Sequence, residues 1–286
     1  MALPDPDVLL DLALAAARDA AAVHREHVGR VRLEDWSEKG VSDFVTHVDR
    51  EAESRIVARI RTAFPEHAIL AEEAASDAGH PAGRGAPVPA EEAGPGFLWI
   101  ADPLDGTTNF LHAYPAYSAS VAVAHRGELL AGAVVDSASG AEWTAARGRG
   151  ARRNGEPIRV SELGELRHAL IGTGFPFRDL DLLPRYLRQF DALTRRTSGI
   201  RRAGSAALDL CHVASGYFDG FWELVLAPWD VAAGALIVRE AGGLVTDLAG
   251  DPGILAGGPI LAGNPMIHGK LRRVLDEMET PAPTEG

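Results

Sequence analysis

The spacing of apolar and polar positions divides the chain into helix-like and strand-like stretches. Residues 7–28 are rich in alanine and leucine, with apolar positions at helical spacing; residues 50–64 repeat the pattern through Ile56, Val57 and Ile60 until Pro65 closes it. Both predict helices packed on a sheet. Between them, residues 39–49 predict a turn, a short strand and then an acid, Asp49, at the start of the second helix. Residues 117–123 and 129–135 alternate or run apolar around His125-Arg126-Gly127-Glu128, which predicts a β-hairpin. Further strands are predicted at 142–145 and 158–160.

The second half restarts with the apolar run 169–174. Helices are predicted at 183–194 and 205–214, a strand near 218–224, and a helix over 229–241 stopped by Gly242-Gly243. Late strands are predicted at 244–247 and 259–262, and a loose tail at 281–286. Residues 76–96 hold nine glycines and prolines in twenty-one positions and almost no large apolar side chains, which predicts a mobile surface excursion rather than a domain boundary. No internal repeat is evident.

Composition narrows the classes. With 286 residues and 46% hydrophobic content, the chain can bury an extensive core, in one large domain or two tightly joined lobes. Its 28 basic and 40 acidic residues leave a formal charge of −12, which disfavours a nucleic-acid partner and requires a local cation wherever an anion is to be bound. The single cysteine, Cys211, rules out an intramolecular disulfide framework, is compatible with a reducing cytoplasm, and reads as a small buried apolar residue. The start of the chain carries acids where a secretory signal carries lysines or arginines, and no uninterrupted apolar span of ~20 residues is present to cross a bilayer.

The chemistry concentrates in residues 99–110, Trp-Ile-Ala-Asp-Pro-Leu-Asp-Gly-Thr-Thr-Asn-Phe. A buried strand over 97–101 is predicted to deliver Asp102 to its end, where Pro103 biases Asp102 towards an extended conformation. Gly106 allows the turn that must follow and lets backbone amides approach an anion, and Thr107 and Thr108 suit the cap of a helical turn. A carboxylate directly after a buried run requires a cation, and Asp105 can point to the same place. Glu72-Glu73 also follows an apolar run, 68–71; neighbours in a strand point to opposite faces, so one of the two, Glu72, is favoured as a ligand. Asp230 falls in the first turn of a predicted helix, where an acid can cap, ligate a metal, or do both.

Other motifs carry less. Gly172-Thr173-Gly174 lacks the third glycine of a dinucleotide fingerprint. The arginines of residues 147–153 precede Asn154-Gly155, a hairpin-turn signal, and read as a solvated hairpin. The ten histidines include no H-E-x-x-H, which disfavours zinc, and Gly-x-Ser-x-Gly is absent.

Taken together, the blocks at 43–49, Glu72-Glu73, 99–110, 172–177, 204–207 and 229–234 resemble the inositol monophosphatases, within the larger magnesium-dependent, lithium-sensitive phosphatase superfamily. The resemblance spans about residues 39–243. It departs in a longer stretch between Glu72 and Asp102 and in Ala71, where the family usually has glycine. It implies a layered α/β fold, an α-β-α-β-α sandwich, with residues 1–160 as an N-terminal lobe carrying most metal ligands and 161–286 as a C-terminal, substrate-facing lobe of one compact unit.

By the same resemblance, Glu72, Asp102, Asp105, Asp230 and the carbonyl of Leu104 are ligands to Mg²⁺. Asp49 and Thr107, together with Glu72, serve the attacking water. The amides of Gly106 and Thr107 hold phosphate oxygens, and Ala206 and Glu223 face the inositol hydroxyls. Glu73 stands behind the ligands, and Lys39 lies on a flexible basic loop near the site. The implied activity is hydrolysis of inositol 1-phosphate or a similar small phosphorylated metabolite by a cytoplasmic homodimer, without nucleic acid or membrane. Histidinol phosphate, 3′-phosphoadenosine 5′-phosphate and fructose 1,6-bisphosphate are rival substrates. Arg178, Arg201 or Arg202 could grip a second phosphate. A regulatory interaction module is the rival of a different class.

Overall fold

Alternate residues of the central strands face different helices, and this alternation sets the layers. The structure is a computed structural model that describes residues 4–32, 36–40, 43–77 and 96–279, with 37–40 and 43–45 described as backbone. The excursion predicted over 76–96 lies mostly outside the described residues, as does the predicted tail at 281–286.

Helix α1 (Pro6–His27) leads to a ribbon of β1 (Ser37–Gly40) and β2 (Asp43–Val45), then α2 (His47–Ala63), β3 (Ala68–Ala71) and the short α3 (Glu72–Asp77). Next come β4 (Phe97–Asp105), α4 (Thr107–Leu111), β5 (Ser118–His125), β6 (Glu128–Asp136), β7 (Glu142–Ala146), β8 (Ala151–Arg153) and β9 (Glu156–Pro157). The second half comprises β10 (Leu170–Thr173), α5 (Leu183–Thr194), β11 (Gly199–Arg201), α6 (Ala206–Ala214), β12 (Gly220–Leu226), α7 (Pro228–Glu240), β13 (Leu244–Thr246), β14 (Gly258–Gly263) and α8 (Pro265–Glu279).

Strands β3 to β9 form a seven-stranded sheet in sequence order, parallel at β3–β4 and antiparallel thereafter. A second, five-stranded mixed sheet has the order β11-β10-β12-β14-β13. On β4, Trp99 and Ala101 pack with Leu9, Ala13 and Ala17 of α1 and Ile56 and Ile60 of α2, whereas Leu98 and Ile100 join the cluster of α6 and α7. On β12, Phe221 belongs to that central cluster, while Trp222 and Leu224 face Tyr186 of α5 and Leu271 of α8. The period of two thus places each sheet between two helical layers, an α-β-α-β-α sandwich.

Helix α7 occupies the middle layer, and every residue from Pro228 to Val238 is buried, as a helix apolar on all sides requires. Small residues bring it close to its neighbours. A Cβ on Gly132 of β6 would lie 3.0 Å from the Cα of Ala233, and one on Gly234 would lie 2.7 Å from the Cβ of Leu210 in α6.

One predicted strand needs correction. Residues 158–160 are not a strand: Ile158 donates its amide to Ala151 and Val160 donates its amide to Ala241, so no single partner supplies a ladder. Asn154 and Gly155, both with positive φ, close the preceding turn, and the strand that pairs with β8 is limited to Glu156–Pro157. Helix α8 was not anticipated, although its buried Ile267, Leu271, Val274 and Leu275 follow helical spacing.

The α6–α7 approach is testable. Helix propensity alone favours alanine over an interior glycine by about 1 kcal/mol, whereas overpacking costs roughly 1–3 kcal/mol. Gly234→Ala is expected to lower stability in urea unfolding, with partial recovery when combined with Leu210→Ala. A single variant more stable than the parent would contradict the close contact.

Candidate metal and active site

The end of β4 shapes the site. Pairing between β4 and β5 is regular from Phe97 to Asp102 and then shifts register before Asp105, opposite Ser118. Pro103, which has no amide hydrogen to give, sits inside this irregularity. Asp102 turns one oxygen, Oδ1, back to accept from the Leu104 amide at 2.9 Å. Gly106 then takes φ +90° as the N-cap of α4, and a Cβ there would meet the Ala116 carbonyl at 2.8 Å, so glycine is required on both counts. The predicted threonine cap is therefore corrected: Gly106 caps, and the Thr107 hydroxyl instead lies 3.0 Å from the Leu104 carbonyl and 3.2 Å from Oδ1 of Asp49.

Three carboxylates meet in this place. Oxygens of Asp102, Asp105 and Asp230 lie within 4.8 Å of one another, and all three residues are buried. Asp105 is held by the start of α6, where its Oδ2 accepts from the Ser205 hydroxyl and, at 2.9 Å, from the Ala207 amide; its Oδ1 accepts from the Ala206 amide at 3.3 Å. Asp230 caps α7 by accepting from the Ala227 amide at 2.7 Å while it faces the cluster, so capping and clustering coexist in one side chain.

Glu72 and Glu73 are not strand residues as expected. They open α3, and both are buried; the Glu53 carboxylate caps that helix by accepting from the amides of Glu73 and Ala74 at 2.7 and 3.0 Å. Glu72 is outside the three-carboxylate cluster and is linked to it through Arg178, whose guanidinium lies 3.6 Å from Glu72 and 3.2 Å from Asp230.

The electrostatics follow from this crowding. Burial, compounded by the charges of Glu72, Asp105 and Asp230, holds the Asp102 carboxyl well above the usual carboxylate range, and Arg178 opposes the rise. Burial and the charge of Asp230 push Asp105 up to about 7, against hydrogen bonds from Ser205, Ala207 and Ala206. Glu223, on β12, is pushed up to about 8 by burial and by Asp230, with Arg202 and Arg178 opposing.

The remaining residues singled out in the sequence divide clearly. Glu72, Leu104, Gly106, Thr107, Ala206 and Glu223 line the same cavity of about 340 Å³ as the three aspartates. Asp49 reaches it through Thr107, with its other oxygen accepting from the amide and hydroxyl of Thr46 at 2.8 and 2.7 Å. Glu73 is not in the lining. Lys39 lies in β1 of the ribbon rather than in a loop, and its side chain is outside the described residues. Of the three arginines considered for a second phosphate, Arg178 is engaged by carboxylates and Arg202 lies over the rings of Phe175 and Phe177. Arg201 is exposed, donates to the Ile200 carbonyl, and is not in the lining.

Four contributors escaped the sequence reading: Ser205 and Arg178 as partners of the acids, Glu53, and Asp209. Ser205 before an apolar helical run is a cap signal. Glu53 lies four residues after Asp49, on the same helical face.

Comparison with known proteins places the chain in a family. The profile of the Inositol monophosphatase family matches residues 5–280. A Pseudomonas aeruginosa protein, Nus factor SuhB, is 48% identical over 258 residues, covering 90% of this chain and 91% of that one. The Nus factor SuhB of Escherichia coli K12 is 39% identical over 94% of this chain and 97% of its own. Among solved structures, the extragenic suppressor protein suhB of Bartonella henselae superposes with a TM-score of 0.82 at 37% identity, covering 94% of this chain and 99% of that one. The inositol monophosphatase from Anabaena does so with 0.78 at 37% identity, over 98% of both chains. The chain belongs to the inositol monophosphatase family.

Proposed function

We propose that this protein is a magnesium-dependent phosphate monoester hydrolase whose preferred substrate is inositol 1-phosphate. The observation that supports this reading is the convergence of Asp102 and Asp105, from the end of β4, with Asp230, from α7, on one buried point of a cavity of a size that suits a small metabolite. The donors fit the ion: all are hard carboxylate oxygens, with neither histidine nor cysteine in the cluster. Asp102, Asp105, Asp230, Glu72 and the Leu104 carbonyl would hold Mg²⁺, which supplies charge neutralisation and a bound water of lowered pKa.

The chain's own groups do the rest. Thr46 fixes Asp49 through two hydrogen bonds, and Asp49 in turn can accept the Thr107 proton. Thr107 Oγ1 then has lone pairs left to accept a hydrogen from the attacking water and orient it. The amides of Gly106 and Thr107, at the start of α4, hold phosphate oxygens, and no covalent enzyme intermediate is needed. Ala206 and Glu223 face the hydroxyls of the alcohol. Glu73 supports the ligand shell from behind. A cytoplasmic homodimer belongs to the same proposal. Among the described residues, no helix is long and apolar enough to cross a membrane.

A second reading, a regulatory interaction module, is favoured by the name Nus factor that relatives carry. The two readings separate experimentally, because a module would capture its partner normally after Asp102→Asn.

For the enzyme, purified protein is expected to release phosphate from inositol 1-phosphate faster than from histidinol phosphate, 3′-phosphoadenosine 5′-phosphate or fructose 1,6-bisphosphate, and only with Mg²⁺. Asp102→Asn is expected to lower kcat by ~10³-fold while the circular dichroism spectrum stays native. Near-normal turnover would count against the assignment.

The raised carboxyls also predict a pH dependence of the metal-free protein. Asp105 keeps its proton in the folded chain up to about 7, whereas the unfolded chain releases it near the ordinary value of 3.8. The folded state therefore binds more protons across this window, and stability falls as pH rises through it. In chelator, Tm is expected to drop between about pH 5 and pH 7.5, and excess Mg²⁺ to flatten that drop. A profile that ignores the cation would contradict the metal assignment.

A further inference from the structure

One acid in the cavity has no part in the chemistry above. Asp209 sits in α6, where its neighbours Leu208, Leu210 and Cys211 are apolar and buried, and it lines the cavity that holds the aspartate cluster. The residue is 1% exposed, and its Oδ1 is buried with no hydrogen-bond partner among the described residues. Leaving such an oxygen unpaired costs roughly 1–3 kcal/mol, more if it is charged. Packing of α6 does not require that cost, since an apolar residue would fill the same space.

The surroundings of Asp209 define what can meet it. Burial, and then the charges of Glu223 on β12 and of Asp105, hold the Asp209 carboxyl above the usual range, and Arg202 opposes them. Arg202 is held over the rings of Phe175 and Phe177, at 5.6 and 5.1 Å. Glu223 is accommodated because residue 174 is glycine: a Cβ there would collide with its carboxylate. Two carboxyls beside one arginine offer hydrogen-bond acceptors rather than the paired cations that would hold a second phosphate. They suit a neutral group that donates hydrogen bonds.

We propose that Asp209 is a specificity-determining residue: beside Glu223 it accepts a hydrogen bond from a hydroxyl of the leaving alcohol, so that monophosphates of neutral polyols are taken and bisphosphates refused. This rests on the phosphatase reading and goes further by assigning the discrimination to a particular side chain. Asp209 touches the alcohol, not the phosphate, so its effect falls on substrate choice.

The test uses the full chain with Mg²⁺ and three probes: inositol 1-phosphate, fructose 1,6-bisphosphate and p-nitrophenyl phosphate, which lacks hydroxyls. Asp209→Leu is expected to lower the ratio of kcat/KM for inositol 1-phosphate over p-nitrophenyl phosphate by about tenfold or more, chiefly through KM. Asp209→Asn keeps an acceptor oxygen and the shape, and is expected to restore most of that ratio.

A parallel loss on all three probes in Asp209→Asn, or an unchanged ratio in Asp209→Leu, would overturn the proposal. Failure of the parent protein to release phosphate from any of the three probes would instead indict the phosphatase reading, and this inference with it.

Discussion

Mutual repulsion among Asp102, Asp105 and Asp230 is the constraint around which the rest of the structure is arranged. Three carboxylates withdrawn from water and within 4.8 Å of one another are costly unless something positive stands among them. The chain meets that cost in part. Backbone amides of Ala206 and Ala207 and the Ser205 hydroxyl bind Asp105, the Ala227 amide binds Asp230, and the Leu104 amide binds Asp102. Arg178 brings the positive charge nearest to Asp230 and Glu72. These partners fix where the oxygens point, and the raised carboxyls of Asp102 and Asp105 show that they do not neutralise the cluster.

Such a cluster requires a stiff scaffold, because each acid would otherwise move away from its neighbours. The sandwich provides one by bringing the ends of β4, α6 and α7 together. The close contacts of Gly132 with Ala233 and Gly234 with Leu210 bind α7 to the seven-stranded sheet and to α6, so Asp105 and Asp230 are positioned by packed core rather than by loops. Asn109 adds a further tie from α4, donating to the carbonyls of Ala116 and Ala203 at 2.7 and 2.9 Å. In this way α4 is joined to the segment that leads into α6.

Much of this was legible in the sequence, and for physical reasons. The α5 boundaries, the β5–β6 hairpin and the buried run into Asp102 follow directly from periodicity, because each packs one face or is buried throughout. Asp102 stands out as an acid directly after an apolar run and Asp105 as its neighbour across the turn, whereas Asp230, which a helix cap alone could explain, is picked out by the family resemblance. What escaped depended on contacts distant in sequence. Nothing local to Glu72-Glu73 shows that Glu53 will cap them into a helix, and nothing local to Arg178 shows that it will face Glu72 and Asp230. Asp209 was the missed local signal: a lone acid within the apolar stretch 206–214. Residues 158–160 were misread because their apolar character serves packing under α7, where the amide of Val160 bonds Ala241 outside any ladder.

The account stands or falls on whether the acid cluster exists to receive a divalent cation. The direct measurement is anomalous diffraction from crystals grown with Mn²⁺, which has the same preference for oxygen ligands and scatters strongly enough to be located. The account predicts a peak bounded by carboxylate oxygens of Asp102, Asp105 and Asp230. An empty cluster at saturating Mn²⁺, with the aspartates protonated and the metal bound elsewhere, would contradict it.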